Sequence, residues 1–448
     1  SDDLSLPISK KLHELISQQS ISMHVPGHKN MTIGQLESLD LKMDMTEISG
    51  LDDLHHPEDI ILESMTKFNK HRDYDAYLLV NGTTSGILSV IQGLAYESGN
   101  YLIPRNVHKS VFHGLELANQ KATLTNMKVS STSHHYIAPN FNGLDLSQHK
   151  LAIMTYPNYY GETYSIQTDI DLLHSNNVPV LVDEAHGAHF GLDGFPDSTL
   201  NYGADYVVQS YHKTLPALTM GSVLFIHKDA PYKESIKQYL SYFQTSSPSY
   251  LVMASLELAQ TFYQNYDSGI FFEKRHTLSN VLNRKGFVVK EVDDPLKMLI
   301  SYPGYSGYDI QKWFENEHIF VELADDYQIL FVLPLWHKED KYPFEILINK
   351  IQSMVIPHVK EDLLIYPQLM TESGMFSPMV YNKVKWIDIR HSAGKLLARH
   401  IVPYPPGVPI LFKGEKITLN MIKLINQYQH SNMKVEGIKD NQILIKDE

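Results

Sequence analysis

A chain of 448 residues with 43% hydrophobic and 20% charged residues has the composition of a folded globular protein, long enough for two or three domains. Its net charge of −13 comes with no block of about five like charges and no Lys/Arg-rich tract, which argues against a nucleic-acid partner. The absence of cysteine excludes disulfides, thiolate nucleophiles and sulfur-ligated zinc. With no apolar stretch of membrane-spanning length and no signal-peptide pattern, a cytoplasmic location is expected.

The first segment, residues 1–74, is predicted to be an N-terminal arm. It contains one amphipathic helix, residues 8–18, followed by Pro and Gly residues that interrupt regular structure. Because this segment offers little core of its own, we expect it to pack on a neighbour.

The second segment, residues 75–270, alternates short apolar runs with helix-like stretches. Most runs are apolar on both faces, which is typical of strands covered by helices on either side. We therefore predict an α/β large domain with a mostly parallel seven-stranded sheet. The runs lie at residues 76–80, 101–104, 151–155, 178–182, 206–209 and 222–227.

The remainder of the chain is predicted to form two smaller units. A long helix over residues 251–266 leads out of the large domain. Residues 271–360 mix helices with strands such as 328–333, and are read as a small α/β domain. Residues 361–448 are read as a C-terminal domain.

In open parallel sheets, ligands bind beyond the carboxyl ends of the strands, so the residues that follow each run are the candidates for a site. The run ending at residue 80 is followed by a glycine- and hydroxyl-rich loop that contains Thr83, Thr84 and Ser85 and leads into a helical pattern. Free N–H groups at such a helix start attract a phosphate. The alternative interpretation of this loop, taken alone, is an ordinary helix N-cap with Ser and Thr.

The run ending at residue 104 is followed by His108, again at a predicted helix start. Its imidazole suits stacking on a planar cofactor or proton transfer. A structural histidine is the alternative reading.

The run ending at Val182 is followed by Asp183-Glu184-Ala185-His186. A carboxylate at the tip of a buried strand requires a cationic partner or hydrogen-bond donors. Asp183 is therefore expected to meet a positive group. A salt bridge or a metal site is the alternative, but the further ligands that a metal needs are not evident, and no metal is predicted.

The run 206–209 is followed by Ser210-Tyr211-His212-Lys213. A lysine in an enclosed site can act as a Schiff-base nucleophile, although a single lysine is more often a surface charge. The combination is more specific than its parts. A phosphate cradle, an imidazole, a carboxylate for a ring nitrogen and a lysine for an aldehyde are what pyridoxal 5'-phosphate (PLP) requires.

The sequence also resembles a known family over nearly its whole length. It is similar to the ornithine/lysine/arginine decarboxylases, PLP enzymes of the aspartate-aminotransferase fold, fold type I, and to their short form. Besides the four strand ends, the motifs that carry the resemblance are residues 24–29 (HVPGHK), 46–57 (TEISGLDDLHHP), 245–250 (TSSPSY) and 404–409 (YPPGVP).

The resemblance implies a role for each matching residue. Lys213 would carry PLP as a Schiff base, Asp183 would pair with the pyridine nitrogen, Ala185 would lie under the ring and His108 above it. A further set would gather around the phosphate and the lysine, and it comprises Thr83, Thr84, Ser85, His186, Ser210 and His212. Ser246 would reach the phosphate from the partner subunit, which places the site at a homodimer interface.

Two residues depart from the family pattern. Tyr211 stands where a small hydroxyl residue is usual, and Met220 where Gln is common. Both flank the lysine loop, so substrate fit or activity is in question. A catalytically idle PLP-binding paralogue is therefore one alternative reading.

The reaction that the resemblance implies is decarboxylation of arginine, lysine or ornithine to the amine and CO2, with Lys213 or His212 returning a proton. Asp52, Asp53 or Glu415 is a candidate for binding the distal cation of the substrate. An aminotransferase or another PLP lyase is the alternative within the fold, and it would need a carboxylate clamp such as Arg390 or Arg399.

Overall fold

The structure is a computed structural model, and it describes residues 5–361, 368–378, 381–404, 407–431 and 433–447. Its centre is an eight-stranded sheet in the large domain. In spatial order the strands are Gly374–Phe376, Ala122–Leu124, Asn100–Ile103, His149–Thr155, Val180–Asp183, Tyr206–Gln209, Ser222–His227 and Tyr74–Leu79.

The sheet is mostly parallel, as the alternating sequence pattern predicts. Ser222–His227 runs antiparallel to both of its neighbours, so Tyr74–Leu79 and Tyr206–Gln209 point the same way. The prediction of seven strands is one short. The eighth, Gly374–Phe376, comes from the far end of the chain and adds to Ala122–Leu124 in antiparallel orientation.

Both faces of the sheet are buried, which explains why its strands are continuously apolar. Along Leu151–Met154, alternate side chains enter two different hydrophobic clusters: Leu151 and Ile153 enter one, and Ala152 and Met154 the other. Successive side chains of a strand point to opposite faces, so each cluster covers one face of the sheet. The strand ends are thus the part of the sheet that can face a ligand.

Twelve α-helices surround the sheets in the part of the chain that the structure describes. They are Pro7–Ser17, Ile60–Thr66, Gly82–Gly93, Lys109–Leu117, Ile166–Ser175, Tyr211–Thr214, Lys233–Phe243, Tyr250–Asn265, Gly269–Lys285, Gly307–Asn316, Phe344–Ser353 and Leu419–Gln429. Five short 3-10 helices are Leu36–Ser38, Leu41–Met43, Leu146–Gln148, Thr199–Tyr202 and Ile389–His391. Among the described helices, none is long and apolar enough to cross a bilayer.

A second, four-stranded sheet lies in the segment predicted as the small domain. Its strands, in order, are Val288–Lys290, Lys297–Ser301, Ile329–Val332 and Leu323–Ala324. The first, second and third strands pair antiparallel in turn. This sheet contributes residues to the site described below.

The remaining strands form small sheets. The C-terminal part has one three-stranded sheet of Val384–Asp388, Gln442–Lys446 and Ile438–Lys439, and the pair Val402–Tyr404 with Lys434–Glu436. Asn126–Val129 pairs with Tyr136–Asn140, and Ile21–Met23 pairs with Ile319–Val321.

The N-terminal arm divides into two parts with different surroundings. Helix Pro7–Ser17 has no buried residue, although Ile8 and Ile16 are apolar. Beyond it, strand Ile21–Met23 is fully buried and pairs in parallel with Ile319–Val321. The second part of the arm is therefore built into the chain's own core.

Candidate active site

The polar strand ends predicted from sequence converge at the carboxyl edge of the large sheet. Strands His149–Thr155, Val180–Asp183 and Tyr206–Gln209 are adjacent and parallel, and Thr155 lies directly opposite Asp183. The loop after Asp183 is tied to the next strand by the bond from the Glu184 N–H to the Val208 carbonyl, at 2.9 Å. The parallel register brings these loops to one site.

The first loop begins helix Gly82–Gly93. Gly82 has φ +75°, a conformation that favours glycine, and its N–H donates to the Met220 carbonyl at 3.0 Å. The Thr83 and Ser210 hydroxyl oxygens lie 3.5 Å apart, so two of the predicted phosphate ligands meet. Thr84 is exposed at the same helix start, whereas the Ser85 hydroxyl is buried and donates to the Gly82 carbonyl at 2.8 Å. First-turn N–H groups have no acceptor within a helix and are available to an anion.

Asp183 ends its strand with a buried carboxylate. Burial raises its pKa, and the nearby Lys213 opposes this shift. Its Oδ1 accepts the Ala185 N–H at 3.1 Å, while no described residue makes a hydrogen bond to Oδ2. One carboxylate oxygen is thus held in place and the other is open to a cationic N–H.

Lys213 lies in the short helix Tyr211–Thr214 and is half-buried. Burial lowers its pKa, and the carboxylates of Asp183 and Glu322 oppose that effect. A lysine with a lowered pKa has more of the neutral amine that attacks a carbonyl carbon. Asp183 and Lys213 influence each other's pKa, so the structure places the two predicted residues in one site.

Two histidines flank Lys213. His108 caps helix Lys109–Leu117, and its Nδ1 accepts the Ser110 N–H at 3.1 Å. His108 is exposed, yet the atoms packed around its ring and then Lys213 lower its pKa to about 4. Burial and then Lys213 also lower the pKa of His212 to about 4. Both rings are neutral at pH 7 and close to the lysine.

Three residues of the site come from parts of the chain that the sequence reasoning did not connect with it. They are Lys297, Glu322 and Tyr159. The Lys297 Nζ lies 3.0 Å from His186 Nδ1 and 3.0 Å from the Tyr159 carbonyl. Glu322 accepts the Val25 N–H at 3.2 Å and acts on the pKa of Lys213. Only the resemblance of residues 24–29 to a family motif pointed to this corner of the site.

The two departures from the family pattern lie in different surroundings. Tyr211 is fully buried, and its hydroxyl donates to Gln260 Oε1 at 2.6 Å. Its ring contacts Phe68 and the ammonium of Lys70, so it occupies the core. Met220 has φ +80° and is 46% exposed, and its carbonyl accepts the Gly82 N–H. The side chain of Tyr211 is therefore accommodated in the core, with its hydroxyl hydrogen-bonded.

Three carboxylates predicted as partners for a substrate cation are occupied by their own chain. Glu415 is buried against Arg105, with N–O distances of 2.5 and 3.0 Å. Asp52 accepts backbone N–H groups on the loop up to Ile61, and Asp53 accepts the His55 N–H at 3.0 Å. Glu415 is wrong for that role because its charge is already paired inside the protein.

The two arginines considered as a carboxylate clamp for an aminotransferase, Arg390 and Arg399, do not form one. Arg390 is 77% exposed and pairs with Asp388 at 2.9 Å. Arg399 is exposed. In the described parts of the chain, neither arginine is buried in a cleft where it could hold a substrate carboxylate.

Ser246 lies in an exposed loop beside the start of helix Gly82–Gly93 of its own chain. The Thr245 N–H donates to Asn81 Oδ1 at 3.1 Å, and the Thr245 carbonyl bonds His55 Nε2 at 2.8 Å. The loop is therefore anchored at residue 245 while Ser246 is exposed. In the motif at residues 404–409, Pro405 and Pro406 lie outside the described residues.

The residues present fit PLP. An anion site at a helix start, a buried carboxylate with one open oxygen and a lysine with a lowered pKa converge on one sheet edge. They match in turn a phosphate, a protonated ring nitrogen and an aldehyde. Among the described residues, no cluster of three or more His, Cys, Asp or Glu could hold a metal ion.

Family models match both ends of the chain. The model described as "Orn/Lys/Arg decarboxylase, major domain" matches residues 6–276, and the model for the C-terminal domain of the same enzymes matches residues 362–442. The chain belongs to the Orn/Lys/Arg decarboxylase family. It is therefore a decarboxylase, and its cofactor is PLP.

Individual relatives cover almost the whole chain. An uncharacterized protein of Bacillus subtilis, YaaO, is 34% identical, over 99% of this chain and 98% of its own length. The arginine decarboxylase of the same organism is 28% identical, over 97% of this chain and 96% of its own length. The lysine decarboxylase of Francisella novicida has the same fold with a TM-score of 0.68 at 18% identity, over 99% of this chain and 84% of that one.

Proposed function

We propose that this family member decarboxylates a basic L-amino acid, with arginine first and lysine and ornithine next among the candidate substrates, and releases CO2 and a polyamine-type amine. The observation that carries the proposal is that Asp183 and Lys213 lie at the ends of adjacent parallel strands, where the charge of each acts on the pKa of the other. Similarity to an arginine decarboxylase over 97% of the chain supports the order of the substrates.

Each polar residue has a proposed task. Lys213 would hold the cofactor through its aldehyde carbon. Asp183 holds the ring nitrogen protonated through its open oxygen, because a buried carboxylate requires a cationic partner. His108 would lie over one face of the ring and Ala185 under the other. Thr83, Thr84, Ser85, Ser210 and His212 surround the phosphate, with Ser246 of the partner subunit completing the cradle.

The chemistry divides between cofactor and protein. PLP, when bound, supplies the electron sink that stabilises the charge left at Cα as CO2 departs. The residues that line the site would select the reaction by fixing the orientation of the substrate carboxylate. Lys213, as an ammonium whose pKa is lowered, would give a proton to Cα and be left as the neutral amine, with His212 beside it.

We propose a homodimer whose active sites lie at the interface, with the division into residues 1–74, 75–270, 271–360 and 361–448. The exposure of Ser246 and the exposed apolar side chains of helix Pro7–Ser17 support contact with a neighbouring subunit. A cytoplasmic location and a role in polyamine metabolism complete the proposal. The absence of cysteine suits a reducing compartment.

The test is an assay of the purified, PLP-loaded protein with L-arginine, L-lysine and L-ornithine. CO2 and amine are expected from at least one of them, and no keto acid. Replacing Lys213 by Ala should lower kcat by about 10³-fold or more, since the group that bonds the cofactor is lost. The matched control is Lys228→Ala, at an exposed lysine.

Two results would contradict the proposal. Keto acid as the main product would indicate an aminotransferase. No turnover of any of the three amino acids by correctly folded, PLP-loaded protein would indicate the idle paralogue.

A further inference from the structure

Lys297 is a buried lysine with an unusual acceptor. It begins strand Lys297–Ser301 of the four-stranded sheet and has no exposed surface. Its Nζ donates to the Tyr159 carbonyl at 3.0 Å and lies 3.0 Å from Nδ1 of His186. His186 is on the loop that follows Asp183 in the large sheet, so this contact joins the two sheets at the active site.

The backbone around Lys297 leaves room for this contact. Gly161 has φ +85°, and a Cβ there would lie 2.6 Å from Cγ of Lys297. The carboxylate of nearby Asp294 is occupied, because it bonds His189 Nε2 at 2.9 and 3.0 Å and the Leu296 N–H at 3.0 Å. The lysine is thus directed past Asp294 toward the imidazole.

The contact fixes the position of a proton. An ammonium group has three donors and no acceptor, so the ring nitrogen facing it must be unprotonated. Burial lowers the pKa of Lys297 to about 8, which leaves it an ammonium at pH 7. Burial, followed by Lys297, Lys213 and His108, lowers the pKa of His186 well below its usual value. His186 is consequently neutral, with its one hydrogen on Nε2.

We propose that Lys297 is a positioning residue that holds His186 as a neutral Nε2–H donor for an anionic oxygen of the cofactor or of the substrate carboxylate. In this role His186 donates a hydrogen bond and transfers no proton, because its other nitrogen is occupied. The tautomer follows from the contact together with the charge of Lys297. Only the identity of the anionic oxygen rests on the proposed function.

The direct test is neutron diffraction from crystals of the deuterated, PLP-loaded enzyme at pH 7. Deuterium is expected on Nε2 and not on Nδ1 of His186, with three deuterons on Nζ of Lys297. Deuterium on Nδ1, or a neutral amine at Lys297, would overturn the proposal. This measurement needs no turnover, so it gives an answer even where the assay for decarboxylation fails.

The second test is a double-mutant cycle. Lys297→Met should lower kcat/KM by about 10–100-fold, as does the loss of other groups that orient a histidine. In a His186→Gln background the same change should have little further effect, because its target is gone. An equal effect of Lys297→Met in both backgrounds would refute a role through His186.

Lys290→Met is the matched control for the cycle. Lys290 is a lysine of the neighbouring strand that donates to the Thr132 carbonyl and to Gln328 Oε1, both at 3.2 Å. Its replacement should leave kcat/KM unchanged. A loss as large as that of Lys297→Met would assign the effect to the small sheet as a whole and contradict the proposal.

Discussion

Two sets of buried charges lie near the carboxyl edge of the large sheet, and they differ in how they are paired. Arg105 and Glu415 form a two-fold ion pair in which both side chains are at most 2% exposed, and this pairing helps to raise the pKa of Arg105 against the effect of burial. No carboxylate among the described residues forms such a pair with Lys213, Lys297 or Lys29, and burial lowers the pKa of each. A buried cation that is fully paired with a carboxylate has a structural role. A buried lysine without such an ion pair keeps an amine that can react or donate a hydrogen bond.

The largest loss of stability is expected when the buried ion pair of Arg105 and Glu415 is broken. Arg105→Met leaves the Glu415 carboxylate buried without its cation, which should lower the free energy of unfolding by about 3–5 kcal/mol in urea denaturation. Replacing both residues, as Arg105→Met with Glu415→Leu, should recover most of that loss. A double variant as unstable as the single one would show that the lost charge pairing is not the cause.

A smaller effect, dependent on pH, is expected at Lys29. Its Nζ donates to two carbonyls at 2.6 Å, and burial lowers its pKa to about 7. An unfolded lysine titrates near about 10.4, so between these values the unfolded chain binds more protons and stability rises with pH. Lys29→Met removes this contribution.

The measurement is the free energy of unfolding of both proteins at pH 7 and pH 9. The stability of Lys29→Met relative to the unsubstituted protein should fall by about 2 kcal/mol between the two values. A difference that stays constant with pH would show that Lys29 keeps its ordinary pKa in the folded state.

Tyr211→Phe measures the stability contributed by a neutral buried hydrogen bond, for comparison with the buried charges. Removing the hydroxyl that donates to Gln260 should cost about 1 kcal/mol of stability. Because the ring lies in the core and not at the cofactor, turnover of the folded enzyme should not change. A large loss of kcat without loss of stability would instead place this residue in the reaction.

The smallest effect is expected at a partly exposed ion pair. Lys413 Nζ lies 3.0 Å from Glu116 Oε1, and the glutamate side chain is 35% exposed. Lys413→Met should cost less than about 1 kcal/mol, and less again in high salt, because solvent screens such pairs. A cost equal to that of Arg105→Met would remove the distinction between buried and exposed pairs.

The sequence predicted the parts of the molecule that depend on local pattern. The apolar runs became strands within about two residues, and Lys213 and Asp183 follow adjacent strands as expected. Contacts between distant segments were not predictable. Arg105 and Glu415 are 310 residues apart, and no motif in the sequence around either residue indicates that the two form an ion pair.

The same limit explains the missed site residue and the missed strand. Lys297 stands in a sequence with no motif, and only the packing of two sheets brings it to His186. Strand Gly374–Phe376 has three residues, too few to show a periodic pattern. The fold class can be predicted from local sequence patterns. The charged groups around Lys213 cannot, because tertiary packing brings them together.

The added strand Gly374–Phe376 protects an edge that would otherwise be open. It covers Ala122–Leu124, and its Gly374 packs so close to Glu415 that a Cβ would lie 2.3 Å from a carboxylate oxygen. Bare strand edges invite pairing between molecules. A fragment ending before residue 374 should therefore aggregate, and the nascent chain carries this exposed edge until strand Gly374–Phe376 has been synthesised.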